Sequence, residues 1–372
     1  MAIDRRKFLQ GVAGAVAFAA WPAGAASPPR YMACRLKGED KASAAAFDLS
    51  GRELFALDLP ARGHDIAQRP DSIDAAIFAR RPGAWFVVVE TNTGAIRAHR
   101  TAAENRHFYG HGVYSADGRL LYATENDIQS GKGVVGIYDA TDEYRRIGEF
   151  HSFGIGPHDI ALLGDGRTLV VANGGLMTLP ESGREVLNRD SMRSTIDLID
   201  REHGELKATF ELDPSFRDLS LRHLALTPRG DILFGGQYEG DPEEMPLLAG
   251  MVSADGRICA LPMPDEELAA LSNYIGSVAV DRDGETLAAT SPHGNRIAFW
   301  NIAAREFIGS RRMGDVCGVA PAPDSQAFVV SSGNEGCALL NLSSGETSAL
   351  IGSTPLAGLA TQVWDNHLVA LS

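Results

Sequence analysis

The sequence has little cysteine and no long apolar run. Its four cysteines, Cys34, Cys259, Cys317 and Cys337, are far apart and form no C-x-x-C pair. They are too few for a disulfide framework, although one bridge is compatible with an oxidising compartment. Spanning a bilayer needs roughly 20 consecutive apolar residues, and no run in the sequence is that long. We therefore expect neither a disulfide scaffold nor a membrane span.

Positive charge and catalytic motifs are also scarce. The chain has 34 Lys and Arg residues against 48 Asp and Glu, a formal net charge of −14. Such a charge keeps a protein soluble and argues against nucleic acid or anionic membrane as the main partner. The sequence contains no nucleophile elbow, H-E-x-x-H, P-loop, C-x-x-C-H haem site or dinucleotide fingerprint. Catalysis thus has no positive support.

The N-terminus has the pattern of an export signal. The adjacent Arg5 and Arg6, within D-R-R-K-F-L, precede an apolar stretch and then small residues ending at Ala26. Paired arginines favour the twin-arginine (Tat) route, which exports folded proteins. We predict that residues 1–26 are a cleaved Tat signal peptide and that residues 27–372 form a periplasmic, monomeric domain.

Short apolar runs recur along the mature chain, each followed by a tight turn and a second apolar run. Examples are G-H-G-V-Y-S-A-D-G-R-L-L-Y-A-T at 110–124 and P-H-D-I-A-L-L-G-D-G-R-T-L-V-V-A-N at 157–173. This pattern predicts a β-hairpin. A second hairpin follows most of them, such as R-I-A-F-W-N-I at 296–302. Two hairpins make a four-stranded blade, and blades in a ring make a β-propeller.

The number of hairpin pairs predicts seven blades. Innermost strands are expected near His64, His111, His158, His223, Ser277, Cys317 and Gly358. Seven blades give about 49 residues each, within the range of propeller repeats. The last segment supplies only one hairpin and residues 31–58 supply another, so we expect the ring to close by combining both termini in one blade, which removes open sheet edges.

Interruptions of this pattern are few. The best short helix candidate is residues 265–271, and we predict loop insertions at 176–194 and 237–248. The fold class is therefore all-β, a seven-bladed β-propeller.

Four predicted blade starts carry a histidine at nearly the same place: His64, His111, His158 and His223. The start of an innermost strand lies beside the central channel, so these imidazoles are candidates to converge on one metal. Neutral imidazoles suit iron, copper or zinc. The alternative is that they only brace the strands by hydrogen bonds. His107 is a weaker candidate, and the remaining histidines are expected to be peripheral: His99, His151, His203, His293 and His367.

Other polar residues are secondary candidates. Glu125 and Asp127, in T-E-N-D, are candidate oxygen ligands for the same metal, or alternatively cap a loop. Arg184 and Arg222 are candidates for binding an anionic cofactor, or alternatively pair with acidic neighbours. Cys317 occupies a histidine-like blade start, where a thiolate favours a softer metal and a buried thiol is simply apolar.

Several segments resemble a bacterial family of Tat-exported propellers catalogued as domain of unknown function fifteen-thirteen. The matching segments are F-Y-G-H-G-V at 108–113, T-E-N-D at 124–127, G-I-G-P-H at 154–158, V-A-N-G-G at 171–175, S-G-R-E at 182–185, R-H-L-A at 222–225, G-S-V-A at 276–279, A-T-S-P at 289–292 and D-V-C-G-V-A at 315–320. Members are often encoded beside imelysin-like proteins and a di-haem, peroxidase-like protein associated with iron acquisition. The resemblance implies a periplasmic role in iron handling with such a partner.

Two functional hypotheses follow. The first is that His111, His158 and His223, with His64, bind a transition metal in the central funnel, iron before copper, with Glu125 and Asp127 supporting. The second is a non-catalytic scaffold that docks an imelysin-like or haem-containing partner. A propeller enzyme of lactonase or oxidoreductase type rests on fold analogy alone.

Overall fold

In a computed structural model of the protein, the strands form seven antiparallel sheets of four strands each. The described residues are 30–37, 41–81, 83–183, 185–253, 256–343, 350–359 and 362–371. The innermost strand of each sheet contacts the innermost strands of both neighbouring sheets, and the last contacts the first. This closed circle confirms the seven-bladed β-propeller that the hairpin repeats predict.

Each blade is a meander, and in six of the seven the four strands run outward from the channel in chain order. The first blade contains β1 (Arg30–Lys37), β2 (Lys41–Asp48) and β3 (Glu53–Asp58). The second contains β4 (Gly63–Gln68), β5 (Asp74–Ala79), β6 (Trp85–Glu90) and β7 (Ile96–Thr101). The third contains β8 (Arg106–Tyr114), β9 (Leu120–Asp127), β10 (Gly133–Asp139) and β11 (Arg145–His151).

The other four blades continue this order. The fourth contains β12 (Pro157–Leu162), β13 (Thr168–Asn173), β14 (Thr195–Asp200) and β15 (Leu206–Glu211). The fifth contains β16 (Leu219–Leu226), β17 (Ile232–Tyr238), β18 (Ala249–Val252) and β19 (Ile258–Ala260). The sixth contains β20 (Ser277–Val280), β21 (Thr286–Ser291), β22 (Arg296–Asn301) and β23 (Glu306–Arg312). The seventh contains β24 (Val316–Pro321), β25 (Ala327–Ser332), β26 (Gly336–Ser343) and β27 (Leu350–Pro355).

The C-terminal strand, β28 (Val363–Leu371), returns to the first blade and pairs antiparallel with β1 as its innermost strand. Closure by both termini is confirmed, but the expected division into one hairpin from each end is wrong. The seventh blade uses the chain up to Pro355, and a 3₁₀ turn follows at Ala357–Leu359. Only one strand remains, so the N-terminus supplies three.

Helical structure is as sparse in the described residues as the sequence predicts. They contain one α-helix, α1 (Asp265–Ala270), at the predicted position, and the remaining 3₁₀ turns are Pro180–Ser182, Arg189–Ser191 and Pro214–Phe216. The first two of these turns lie in the predicted insertion between β13 and β14. The other insertion connects β17 to β18. No helix in the described ranges is long and apolar enough to cross a membrane.

The blades pack against each other through apolar side chains. Between the second and third blades, the Phe86 ring lies 5.6 Å from Phe108 and 5.0 Å from Tyr138, measured between centroids. All three side chains are fully buried, and burying one such ring contributes about 1.5–3 kcal/mol. The rigid wall that results fixes the positions of the innermost strands around the channel.

The four cysteines are free thiols. Cys34, Cys317 and Cys337 are buried, and burial raises the pKa of each thiol.

Candidate metal centre

Five histidines converge on the central channel, each from a different innermost strand. They are His64 on β4, His111 on β8, His158 on β12, His223 on β16 and His367 on β28. All are buried except His158, which is partly buried. The structure thus brings together the four predicted histidines and adds His367.

The five rings are arranged as four around one. Between centroids, His64 lies 5.8 Å from His158, which lies 4.9 Å from His223. His367 completes the circuit at 4.9 Å from His223 and 4.6 Å from His64. His111 lies 4.7–6.0 Å from each of these four rings.

Two aspartates hold the central imidazole. Nδ1 of His111 lies 3.1 Å from Asp65 Oδ2 and 3.3 Å from Asp159 Oδ1, so Nδ1–H donates to these carboxylates. The three residues face each other because they occupy equivalent positions in their blades. The residues that follow them pair with partners 11 residues later: Ile66 with Ile77, Gly112 with Ala123 and Ile160 with Val171.

The histidines carry ring nitrogens that have no hydrogen-bond partner among the described residues. These buried atoms are His64 Nδ1, His111 Nε2, His158 Nδ1, both nitrogens of His223 and His367 Nε2. Leaving a buried polar atom unsatisfied costs about 1–3 kcal/mol, and native proteins rarely leave several together. An occupant that accepts nitrogen lone pairs removes this cost.

The nitrogens are close enough to share one ion. Ligand atoms of His64, His111 and His158 all lie within 4.8 Å of one another, and so do those of His111, His223 and His367. Both groups need His111, whose Nδ1 is committed to the aspartates. Nε2 has a single lone pair, which binds one metal ion. The two groups therefore describe one site with up to five imidazole donors.

Electrostatics separate the central histidine from the other four. Burial and the neighbouring positive charges lower the pKa of His64, His158 and His223, and burial lowers that of His367 to about 4. These four imidazoles are neutral at pH 7 and present lone pairs. Burial opposes protonation of His111 as well, but the carboxylates of Asp159 and Asp65 outweigh it and raise its pKa to about 10.

A polar cavity of about 300 Å³ opens above the rings. Its floor includes His64, His158 and His223, and Arg222 and His293 are in its wall. The predicted anion-binding residue Arg222 is therefore beside the histidines. Arg184, the other predicted one, lies outside the described residues.

The comparisons with known proteins agree with this fold. The model of the family described as "Protein of unknown function (DUF1513)" matches residues 57–371. The chain belongs to this family. The fold is shared with a chain of Kuenenia stuttgartiensis hydrazine synthase, at 14% sequence identity and a TM-score of 0.60. The match covers 84% of this chain and 90% of that one. No curated protein sequence matches.

In the DUF1513 chain, Gly110 leaves room for the His64 ring. Gly110 has a φ of +109°, and a Cβ there would lie 2.5 Å from Cδ2 of His64. We expect Gly110→Ala to displace the His64 ring and to lower the free energy of unfolding by about 1–3 kcal/mol, because both backbone strain and the clash oppose it.

Denaturant unfolding and metal titration of the Gly110→Ala variant would check this expectation. Gly164→Ala is the matched control, because nothing lies within 4 Å of a Cβ at that position. Equal stabilities for the two variants would contradict the role given to Gly110.

The predicted carboxylate ligands lie elsewhere. Glu125 accepts hydrogen bonds from the Tyr138 hydroxyl at 2.6 Å and from Arg146 at 2.9 Å. Asp127 accepts one from the Ser130 hydroxyl at 2.8 Å and ion-pairs with Arg106 at 3.1 Å. Neither carboxylate is in the two ligand groups. Protein donors contact both carboxylates, so the structure does not bring Glu125 and Asp127 together with the histidines.

Sequence reasoning misplaced two histidines as peripheral. His367 is in the ring, and its φ of +69° is a strained conformation that places the imidazole in the channel. His293 is at the cavity wall, where its ring lies 3.9 Å from that of Tyr274. His203 is peripheral as predicted, with 64% of its side chain exposed.

The weaker candidates have structural partners. Nδ1 of His107 donates to the Phe108 carbonyl at 3.1 Å, and Nε2 lies 3.2 Å from the Asn126 amide. The Cys317 thiol donates to the Asp315 carbonyl at 3.0 Å. Neither residue is in the two ligand groups.

Proposed function

We propose that this DUF1513 chain binds one transition metal ion in its ring of five histidines and holds it for transfer. The observation that carries the proposal is that five histidines with unpartnered ring nitrogens form two overlapping groups of three, and the ligand atoms within each group lie within 4.8 Å of one another. Imidazole is a preferred ligand of iron, copper and zinc. The family resemblance favours iron, with copper as the alternative.

The alternative that the histidines only brace the strands has less support. Bracing requires hydrogen bonds from the rings to neighbouring strands. Within the part of the chain that the structure describes, no such bond reaches either nitrogen of His223. None reaches Nδ1 of His64 or Nδ1 of His158 either. The polar contacts of the ring are Asp65 and Asp159 on His111, and the Ser277 hydroxyl 3.4 Å from Nδ1 of His367.

The charges of the site suit a divalent cation. Asp65 and Asp159 supply two negative charges, and four of the imidazoles are neutral. Carboxylates that accept the second N–H of a metal-bound histidine fix its orientation and raise its basicity. In the metal-free protein, His111 is protonated on Nε2, so a metal ion must displace this proton to bind there.

Metal binding should therefore release about one proton per ion at pH 7, because His111 must lose its Nε2 proton. Since its pKa is raised to about 10, the apparent affinity should rise roughly tenfold per pH unit up to about pH 10. Calorimetric titration in buffers of different ionisation enthalpy measures the protons released. A pH-independent affinity between pH 7 and pH 9 would contradict a protonated His111.

The cellular role extends the proposal. Residues 1–26 lie outside the described residues, and their pattern favours export by the Tat route to the periplasm. Folding before export would let the cell choose the metal while the site forms. The resemblance then assigns the loaded protein to iron handling beside an imelysin-like or di-haem partner, as a component that holds and passes on metal.

Elemental analysis of protein purified without a histidine tag tests the proposal. We expect about one equivalent of metal in the wild-type protein, or its uptake on titration with Fe(II), Cu(II) or Zn(II). The His111→Ala/His158→Ala double variant should bind none, and His203→Ala should match the wild type. A wild-type protein that neither contains nor takes up metal would refute the proposal, and binding unaffected by the double variant would refute the site.

A further inference from the structure

The cavity above the histidines is basic although the chain as a whole is acidic. Among the described residues that line it, Arg80, Arg81 and Arg222 are cationic and Glu239 is the one carboxylate. The formal net charge of the chain is −14, so this concentration of arginines does not follow from composition. Guanidinium groups match carboxylate and phosphate oxygens in a bidentate geometry.

The three guanidinium groups are held in place. Arg222 Nε donates to the Ser220 hydroxyl at 2.8 Å, and Nη2 lies 3.4 Å from Glu239. Nη1 of Arg80 donates to Asp365 at 2.8 Å. Side chains that are already ordered lose less entropy when a ligand binds.

Arg81 is also ordered by its neighbours. It donates to the Thr178 hydroxyl, and its guanidinium lies 6.0 Å from the centroid of the Tyr109 ring. The Tyr109 hydroxyl is buried in the same wall, beside the Thr178 side chain with which it interacts. A phenol in this position is available to donate to an anionic oxygen.

The positive charges are on two sides of the funnel. Arg80 and Arg81 follow β5 in the second blade, whereas Arg222 is on β16 in the fifth. Three steps separate these blades in a ring of seven, so the side chains reach the cavity from opposite sides. His64, His158 and His223 line the same cavity. A cavity of about 300 Å³ is at the small end of ligand pockets.

We propose that this funnel binds a small dicarboxylate. One carboxylate would be held by Arg81 with the Tyr109 hydroxyl, and the other by Arg222. A dicarboxylate fits because it carries two anionic ends on a short apolar spacer. Bound above His64, His158 and His223, it would also supply oxygen ligands to the ion of the proposed metal centre. The anion site itself depends on the arginines and forms without metal.

Calorimetric titration of the metal-free protein with succinate tests this proposal at fixed ionic strength, because salt screens such contacts. We expect succinate to bind at least tenfold more tightly than acetate and more tightly than inorganic phosphate. Arg81→Gln and Arg222→Gln should each weaken succinate binding at least tenfold. Arg145→Gln is the control, since Arg145 is 63% exposed on the outer strand β11.

Absence of succinate binding would overturn the proposal, and so would equal binding by wild type and both arginine variants. Phosphate binding as tight as succinate would overturn the assignment to a dicarboxylate. Circular dichroism of each variant establishes that it is folded, and Arg222→Lys adds a conservative change that should retain part of the affinity. Because these titrations use metal-free protein, their outcome is independent of whether the histidines bind metal.

Discussion

If the proposed metal centre is correct, the His111→Ala variant will bind Fe(II), Cu(II) or Zn(II) at least 100-fold more weakly than the wild-type protein. His111 is the ring common to both ligand groups, and it lies within 6.0 Å of each of the other four ring centroids. Loss of a contact in the outer shell costs about 10–100-fold in metal affinity, so loss of a central ligand should cost more. The substitution also leaves Asp65 and Asp159 without their shared partner.

Competition with a chromogenic chelator would measure this loss, under anaerobic conditions when Fe(II) is used. His203→Ala is the matched control, because His203 is exposed and pairs only with Asp200 among its described contacts. Asp127→Asn adds a second control, with an expected change below about twofold, because Asp127 lies outside both ligand groups. An affinity of His111→Ala within about threefold of the wild type would contradict the central place given to this ring.

The Asp65→Asn and Asp159→Asn variants should each weaken metal binding by about 10–100-fold although neither removes a ligand. Each replaces a carboxylate that accepts the Nδ1 proton of His111, at 3.1 and 3.3 Å. The change removes a negative charge, so the raised pKa of His111 should fall toward its ordinary value. Proton release on metal binding at pH 7 should fall in parallel.

A joint fall in metal affinity and proton release would show that the aspartates act on the His111 imidazole and do not only stabilise the fold. A variant that is merely less stable would keep the wild-type proton release per ion bound. NMR titration of the imidazole in the metal-free protein would report the pKa of His111 directly. An unchanged pKa in both asparagine variants would contradict the role assigned to the two carboxylates.

The sequence was sufficient to predict the ring because the signals are local and repeated. Each hairpin contains its own turn, and the period of about 49 residues fixes the number of blades. The division of the closing blade was not predictable in this way. Its innermost strand, β28, pairs with β1 from the other end of the chain, so no single hairpin encodes that blade.

The same reason explains which histidines were found. His64, His111, His158 and His223 each precede a hairpin turn, which allows their positions to be aligned. His367 has no following hairpin, because its neighbouring strand is β1. Its place in the channel therefore depends on ring closure, which is a long-range feature.

The sequence also contains a pattern that indicates the positions of Asp65 and Asp159. The dipeptide His-Asp occurs at 64–65 and again at 158–159, whereas the third blade has Gly-His at 110–111. The histidine of the third blade is therefore shifted by one residue, so that His111 occupies the blade position that Asp65 and Asp159 occupy in their own blades. Glu125, in contrast, is held by Tyr138 and Arg146 from the two strands that follow it in the same blade, and the T-E-N-D segment alone does not show which side chains face it.

X-ray absorption spectroscopy of the metal-loaded protein is the most direct test of the histidine metal centre. We predict one metal ion per chain with at least three imidazole ligands at about 2.0–2.1 Å, the usual distance for histidine nitrogen on such ions. We also predict loss of this imidazole scattering in His111→Ala/His158→Ala. A loaded metal with fewer than three imidazoles, or a spectrum unchanged in the double variant, would contradict the histidine ring as a metal centre.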